Sequence, residues 1–170
     1  VFAVDSSWIG LRRAPLLGAD EWTHRSHDAA NTFGSRDILS GPPFRLQWIA
    51  ECHPGTASAA VVVGSGRIFY SMLGYDFATD VTPALLAADA YTGAELWRKE
   101  GKQGFPFDRS AYHYSPRKSC SDIALGPDTL YLLTGKTCSS FSMKDGRLAK
   151  SFPLPAEGAT AADSIWVYLS

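Results

Sequence analysis

The chain of 170 residues contains four His and three Cys, the side chains that most often bind transition metals or act as nucleophiles. His24 and His27 lie three residues apart. With His53 or His113 they could form a metal site, but no Cys or carboxylate falls at a spacing that supports one. Solvated or hydrogen-bonded histidines are therefore the favoured interpretation.

Serine and cysteine stand together at Ser119–Ser121 and at Cys138–Ser140. Neither group lies in a Gly-x-Ser-x-Gly elbow or near an evident His-acid pair, so we predict strand and turn residues there. Cys52, Cys120 and Cys138 allow at most one intramolecular disulfide. The pairing and the redox compartment stay open.

Oxygen ligands for calcium are present at Asp28 and Asn31, but no series of alternating oxygen donors with a fixed glycine follows them. A turn explains both residues more simply. Arg109, Tyr112 and His113 place cationic and aromatic side chains in a long insertion, and insertions of this kind often carry binding surfaces. They are the ligand-contact candidates, and the chain offers no catalytic, cofactor-binding or metal-binding candidate.

The composition and charge of the chain limit the folds and partners that are possible for it. The chain is 45% hydrophobic and 12% aromatic, enough apolar material for a packed core. Sixteen Lys and Arg against seventeen Asp and Glu leave a net charge of −1, with no basic block to follow phosphates, so nucleic acid is not an expected partner. Apolar runs such as Ala59–Val63 fall far short of the roughly 20 residues of a membrane helix.

Short apolar segments separated by glycine and proline turns predict two units of four strands, with no long helix. The turns of the first unit are predicted at Gly64–Gly66 and Thr92–Gly93. Those of the second unit include Pro127–Asp128 and Asp145–Gly146. The predicted strands are Ala59–Val63, Arg67–Met72, Leu85–Asp89, Glu95–Arg98, Asp122–Leu125, Thr129–Leu133, Cys138–Ser142 and Arg147–Ser151.

Four antiparallel strands recurring at a period of about 50 residues are typical of β-propeller blades. A two-sheet sandwich is the competing architecture, but it does not require the strand and turn order to repeat. We therefore predict an all-β fold, a partial propeller of four-stranded antiparallel blades.

The segment Leu86–Trp97 resembles the AxDxxTGxxxW docking motif of the pyrroloquinoline quinone (PQQ) repeat family of β-propellers. The matching residues are Ala88 (or Ala87), Asp89, Thr92, Gly93 and Trp97. In physical terms the Asp caps a turn, the Gly takes a positive φ, and the Trp buries its ring against the next blade. A second copy keeps Gly146 but has Lys150 in place of the Trp, where Phe152 would supply packing instead.

The N-terminal third resembles a segment that joins blades in large PQQ-repeat proteins of bacteria, through Glu21–Thr32, Gly41–Pro43 and Leu46–Trp48. There Leu46–Ile49 would be a strand ending at an inter-blade Trp. The resemblance implies an upstream unit ending in 1–20, a blade-joining segment at 21–56, blades at 57–119 and 120–157, and the start of a further blade at 158–170. Both ends are expected to be cut from a longer protein.

The resemblance implies a secreted or periplasmic location and a non-catalytic module that scaffolds or binds an unknown protein or small ligand. The alternative is part of a PQQ-dependent oxidoreductase whose catalytic residues lie elsewhere. Enzymes of that family have a vicinal disulfide and a calcium ion held by Glu, Asn and Asp, and this chain has no Cys-Cys pair. PQQ and calcium are expected only in a longer protein.

Overall fold

A computed structural model of the chain describes residues 2–5, 8–10, 14, 16–39, 46, 48–49, 56–74, 84–100, 121–134 and 137–153. Over these residues the ordered elements are all β-strands. They are β1 (Phe2–Asp5), β2 (Trp8–Gly10), β3 (Thr56–Gly64), β4 (Arg67–Gly74), β5 (Ala84–Asp89), β6 (Glu95–Glu100), β7 (Ser121–Leu125), β8 (Thr129–Thr134), β9 (Thr137–Ser142) and β10 (Leu148–Pro153). No helix in the described part is long and apolar enough to cross a membrane.

The strands form two four-stranded antiparallel sheets and one hairpin, β1–β2. The first sheet has the order β3-β4-β5-β6 and the second the order β7-β8-β9-β10, so each follows the chain from one edge strand to the other. The prediction of an all-β chain with two four-stranded units is confirmed, with strand ends that differ from the predicted ones by a few residues. Strand β3 of the first sheet contacts strand β7 of the second.

The sequence between β3 and β4 explains how tightly the chain reverses there. Gly64 pairs with Arg67, which leaves a two-residue loop of Ser65 and Gly66. Both loop residues have a positive φ, 51° and 71°, as the hairpin turn matching the twist of the flanking strands requires. Glycine accepts this conformation without strain, and a two-residue loop fixes the register of the pair.

The core lies between the two sheets. One cross-strand row of the first sheet faces it, formed by directly paired residues: Val62, Phe69, Ala87 and Trp97. The second sheet contributes buried residues to the same cluster: Ile123, Leu125, Leu130, Leu132, Phe141 and Met143. Each large aliphatic or aromatic side chain buried there contributes about 1.5–3 kcal/mol of transfer free energy, so this cluster is what holds the sheets face to face.

A segment preceding the first sheet ties the two sheets together. Trp22 pairs with Val63 at the end of β3 through two backbone hydrogen bonds of 2.8 and 2.7 Å. The amide of Leu125, at the end of β7, donates to the carbonyl of Thr23 at 2.8 Å. Adjacent residues of one segment therefore bond to both sheets.

Candidate functional site

Trp97 on β6 docks against the second sheet. Its indole Nε1 donates to the backbone carbonyl of Met143 at 3.0 Å, and its ring lies 6.0 Å from that of Phe69. The ring covers Gly146 so closely that a Cβ atom there would lie 2.8 Å from indole Cε3. Only glycine leaves room for the indole, so this residue pair defines a docking site between the sheets.

Trp48 docks on the first sheet in the same way. Its Nε1 donates to the carbonyl of Ala90 at 3.0 Å, and a Cβ atom on Gly93 would lie 2.5 Å from indole Cε3. The strand expected at 46–49 is not found: residues 46, 48 and 49 lie outside strands. The docking needs only the position of the ring and not a paired strand, because its contacts are an indole N–H and a ring face.

The two turns that receive the rings share their backbone geometry. The amide of Gly93 donates to the carbonyl of Asp89 at 2.9 Å, and that of Gly146 donates to the carbonyl of Ser142 at 2.8 Å. The glycines have φ values of 72° and 66°. A positive φ is inexpensive for glycine alone, so the conformation and the close approach of the ring both select this residue.

The carbonyl groups that accept the indole bonds are held in the same way. Ala90, the acceptor in the first sheet, donates its own amide to the carbonyl of Gly66 at 3.0 Å. Met143, the acceptor in the second sheet, donates its amide to the carbonyl of Asp128 at 3.2 Å. In both sheets the acceptor is anchored to the turn between the first two strands, so the docking unit repeats as a whole.

Arg67 also forms part of the docking site, and the sequence did not predict this. Its guanidinium donates through Nη1 to the carbonyl of Met143, the same oxygen that accepts from Trp97. Two donors from β4 and β6 of the first sheet thus meet on one carbonyl of the second. The acceptor is a backbone atom, which no side-chain pattern marks.

Asp89 caps the first turn, as its place in the sequence suggested. Its Oδ1 accepts from the amides of Tyr91 and Thr92, both at 2.9 Å, and from the Thr92 hydroxyl at 3.0 Å. Burial raises the pKa of the carboxyl, but hydrogen bonds from Thr92 and Tyr91 outweigh it, and the pKa lies below its usual value. The carboxylate is a structural cap.

The second turn has a weaker cap. Ser142 stands where the first turn has Asp89, and its hydroxyl accepts from the amide of Lys144 at 3.3 Å. Asp145 adds a bond from the amide of Arg147 at 3.2 Å. A hydrogen bond from Ser142, then that amide of Arg147, lowers the pKa of Asp145. In the first turn one carboxylate accepts three hydrogen bonds, whereas in the second turn Ser142 and Asp145 each accept one from a backbone amide.

Lys150 occupies the position on β10 that Trp97 occupies on β6. Its Nζ lies 4.7 Å from the centroid of the Phe152 ring, a cation–π contact within the same strand. Lys150 itself is exposed, whereas Trp97 is half-buried. The last strands of the two sheets therefore present different side chains at this position, a half-buried indole on β6 and an exposed ammonium group on β10.

No protein-family model matches this chain, and no curated protein is similar to it. The residues proposed from the family resemblance are therefore interpreted from their geometry alone.

The two described histidines are hydrogen-bonded side chains. His27 is buried, with Nε2 2.7 Å from Asp20 Oδ2 and Nδ1 2.6 Å from Thr32 Oγ1. His24 Nδ1 lies 2.9 Å from Thr23 Oγ1. The structure does not bring the two rings to a common ligand, and within the described part of the chain no three His, Cys, Asp or Glu side chains are grouped as metal ligands.

Asp28 forms a turn of the kind the sequence favoured over a calcium site. Its Oδ1 accepts from the amides of Ala30 and Thr32, both at 3.1 Å. Several predicted positions lie outside the described residues: Cys52, His53, Arg109, Tyr112, His113 and Cys120.

The described serines and cysteine have structural surroundings. Cys138 is a buried free thiol, and burial raises its pKa, so it is protonated and a weak nucleophile at neutral pH. The hydroxyl of Ser139 lies 3.2 Å from that of Ser151, and the hydroxyl of Ser140 donates to the carbonyl of Lys150 at 3.3 Å. These contacts join β9 to β10.

A cavity of about 250 Å³ lies between the ends of the two sheets. It is lined by Glu21, Thr23, Gly64, Ser65, Leu125, Gly126, Pro127 and Met143. Glu21 supplies the charged group, and its Oε1 accepts from the amide of Ser65 at 2.7 Å. The remaining lining residues are two glycines, the polar Thr23 and Ser65, and three apolar residues, and the size suits a few waters or a small molecule.

Proposed function

We propose that this chain is part of a β-propeller of PQQ-like repeats, which serves as a scaffold or binding surface and catalyses no reaction. The observation that carries the proposal is the repeated docking unit, in which Trp48 and Trp97 each donate to a carbonyl and cover a glycine of the next turn. A radial array of blades requires such a contact between each pair of neighbours.

The order of the strands supports a propeller over a sandwich. Each sheet runs in sequence from one edge to the other, and each of these eight described strands pairs only within its own sheet. Immunoglobulin-type sandwiches instead use Greek-key connections between their sheets. The adjacency of β3 and β7, the first strands of the two sheets, agrees with blades whose inner strands converge.

The state of the aspartates supports a non-catalytic role. Asp20, Asp28, Asp89 and Asp145 all have a lowered pKa. The last three accept hydrogen bonds within turns, and Asp20 accepts the amide of Arg36 at 2.6 Å. A general acid or base works best with a pKa near the operating pH. These four carboxylates stay ionised at neutral pH and are committed to local structure.

The alternative function is that of a PQQ-dependent oxidoreductase of the alcohol dehydrogenase type, with catalytic residues outside this chain. The docking geometry is compatible with both functions because it concerns only the scaffold. In either case a secreted or periplasmic location is part of the proposal.

An assay for quinone separates the two functions. The purified protein is incubated with PQQ and Ca²⁺, and quinone absorbance retained after gel filtration is measured together with alcohol-dependent dye reduction. A known quinoprotein alcohol dehydrogenase treated identically is the positive control. We expect neither retained quinone nor dye reduction, and stoichiometric retention of quinone would favour the oxidoreductase.

A photo-crosslinking experiment tests the binding surface. A benzoylphenylalanine placed at Tyr112 should give one discrete adduct in cells, while the same group at Tyr91, which is 47% exposed on the first docking turn, should not. The adduct should also disappear in an Arg109→Glu variant. Identical adducts at both positions, or an adduct indifferent to Arg109, would count against this insertion as the binding surface.

A further inference from the structure

The cavity between the ends of the two sheets has walls from three parts of the chain. Glu21 comes from the segment that bonds to both sheets, Ser65 from the turn between β3 and β4, and Leu125 from the end of β7. Its volume of about 250 Å³ exceeds the roughly 150 Å³ of an engineered apolar cavity that binds benzene. The cavity therefore has room for a molecule of several non-hydrogen atoms.

The polar and apolar parts of the cavity wall lie at opposite ends. Glu21 and Ser65 are exposed, whereas Leu125 and Met143 are only 8% and 5% exposed. The carboxylate of Glu21 therefore lies at the mouth of the cavity, and the two apolar side chains lie at its inner end. A ligand that fits this arrangement has one polar end within reach of water and one apolar end.

Gly64 keeps the space between the two ends open. A Cβ atom at this position would lie 2.7 Å from Leu125 Cδ1 and 3.4 Å from Glu21 Oε2. A side chain there would therefore stand between the carboxylate and the leucine. Because residue 64 is a glycine, these two groups border the same space.

The carboxylate of Glu21 is held in place but keeps one oxygen for a ligand. Oε1 accepts the amide of Ser65 at 2.7 Å. Oε2 accepts no hydrogen bond from the part of the chain that the structure describes. The bond from Ser65 orients the carboxylate before a ligand arrives, which lowers the entropic cost of binding.

The charges at the cavity favour a cation at its mouth. Among the described residues that line it, only Glu21 is charged, so an anion there would be repelled. At the inner end the guanidinium of Arg67 donates to the carbonyl of Met143, so a cation would be repelled there. An ammonium group has three donors and no acceptor, which matches a carboxylate oxygen that needs a donor.

We propose that the cavity binds a small primary alkylammonium compound. The ammonium group donates to Glu21 Oε2 at the mouth, in a charge-assisted hydrogen bond. The alkyl chain lies against Leu125 and Met143, where each methylene group removed from water raises the affinity about fourfold. The site does not require the sheets to be propeller blades, so its failure and that of the proposed function are separable.

A titration of the whole protein with n-butylammonium chloride tests the site. Backbone amide shifts are followed by two-dimensional NMR near neutral pH and at constant ionic strength. We expect saturable shifts at Ser65 and Gly126, which line the cavity, with a Kd on the order of 1 mM for so small a ligand. The amide of Leu132 within β8 is the reference that should not shift. Shifts that rise without saturation would overturn the proposal.

Three further probes separate the roles of the two ends of the ligand. 1-Butanol has the same chain without the charge and should bind about tenfold more weakly or worse. Methylammonium keeps the charge but lacks the chain, and its affinity should also be lower by about tenfold or more. Butyrate should cause no saturable shift, because Glu21 repels it. If 1-butanol or methylammonium bound as tightly as n-butylammonium, the proposal would be wrong.

The variant Glu21→Gln makes the test specific to the carboxylate. Its amide oxygen still accepts from Ser65, so the local structure is kept while the charge is lost. We expect n-butylammonium to bind about tenfold more weakly and 1-butanol to bind as before. Glu100→Gln, at an exposed position on β6 away from the cavity lining, is the matched control and should keep the affinity. A Glu21→Gln protein that binds n-butylammonium as tightly as the unmodified one would refute the site, and the comparison of probes on the unmodified protein tests it independently of either variant.

Discussion

The turns at 89–93 and 142–146 receive indole rings in the same way but are built from different side chains. In both, a positive-φ glycine lies under the ring and a carbonyl three residues earlier accepts the indole N–H. The first turn is capped by Asp89, and the second uses Ser142 and Asp145 instead. Docking thus depends on backbone geometry and on the absence of a Cβ atom, while the cap is replaceable.

The carbonyl that accepts the indole bond in the second turn takes part in more contacts between the sheets than the one in the first turn. Met143 accepts from Arg67 as well as Trp97, and Trp97 belongs to the cluster of buried residues between the sheets. The acceptor of the first turn, Ala90, receives the bond from Trp48. We therefore expect changes at the second docking site to cost more stability than the matching changes at the first.

Removal of the Trp97 side chain should have the largest effect. We expect Trp97→Ala to lower the free energy of unfolding by about 3 kcal/mol, at the lower end of the range for large aromatics because the indole is half-buried. Trp97→Phe keeps an apolar ring but loses the bond to Met143 and should cost about 1 kcal/mol. Urea denaturation followed by circular dichroism measures both. An unchanged midpoint for the Ala variant would show that the indole does not hold the sheets together.

Gly146→Ala should have the next largest effect. The new Cβ would meet the indole at 2.8 Å in a backbone with φ of 66°, and we expect a loss of about 2 kcal/mol from strain and displaced packing. In a Trp97→Ala background the loss should shrink to about 1 kcal/mol, the backbone part alone. Gly93→Ala is the control, since its cost should be the same with or without Trp97. Additive losses for the Gly146 and Trp97 changes would contradict the docking contact.

The caps should differ in their pH dependence. Asp89→Ala should cost about 1 kcal/mol near neutral pH, and Ser142→Ala about 0.5 kcal/mol, because fewer hydrogen bonds are lost. The lowered pKa of Asp89 means that its contribution is present above the unfolded-state value of about 3.9 and is lost as pH falls through the lower folded-state value. The gap between Asp89→Ala and the unmodified protein should therefore narrow in acid. The smaller Ser142→Ala gap should narrow by less, because Ser142 contributes one hydrogen bond to the lowered pKa of Asp145. Thermal melts between neutral and acidic pH measure both gaps.

Lys150→Trp should have the smallest effect. The substitution places an indole at the docking position of β10 and removes the contact between Lys150 and Phe152. We expect the free energy of unfolding to stay the same or to rise by up to about 0.5 kcal/mol. Lys150→Ala is the control for the lost cation–π contact. A clear loss of stability in the Trp variant alone would mean that this position is unsuited to an indole, so the two outer strands would differ in role as well as in sequence.

Much of the fold could be predicted because its signals are local. Apolar runs bounded by Gly64–Gly66, Thr92–Gly93 and Asp145–Gly146 predicted the sheets, and the strand ends moved by only a few residues. The positive φ of Gly93 and the cap by Asp89 follow from residue types within one turn. The network around His27 could not be predicted, because Asp20, His27 and Thr32 meet only through a loop of irregular backbone.

The sequence by itself determined the strands of the two sheets, their turns and the glycines that take a positive φ, because each depends on neighbouring residues and, for the strands, on a periodicity of two. The tertiary structure alone decided that Trp97 and Arg67 share the carbonyl of Met143, and that residues 20–36 bridge both sheets beside a cavity. These contacts join distant parts of the chain through backbone atoms. Every residue carries the same carbonyl and amide, so no residue type marks which of them will be used.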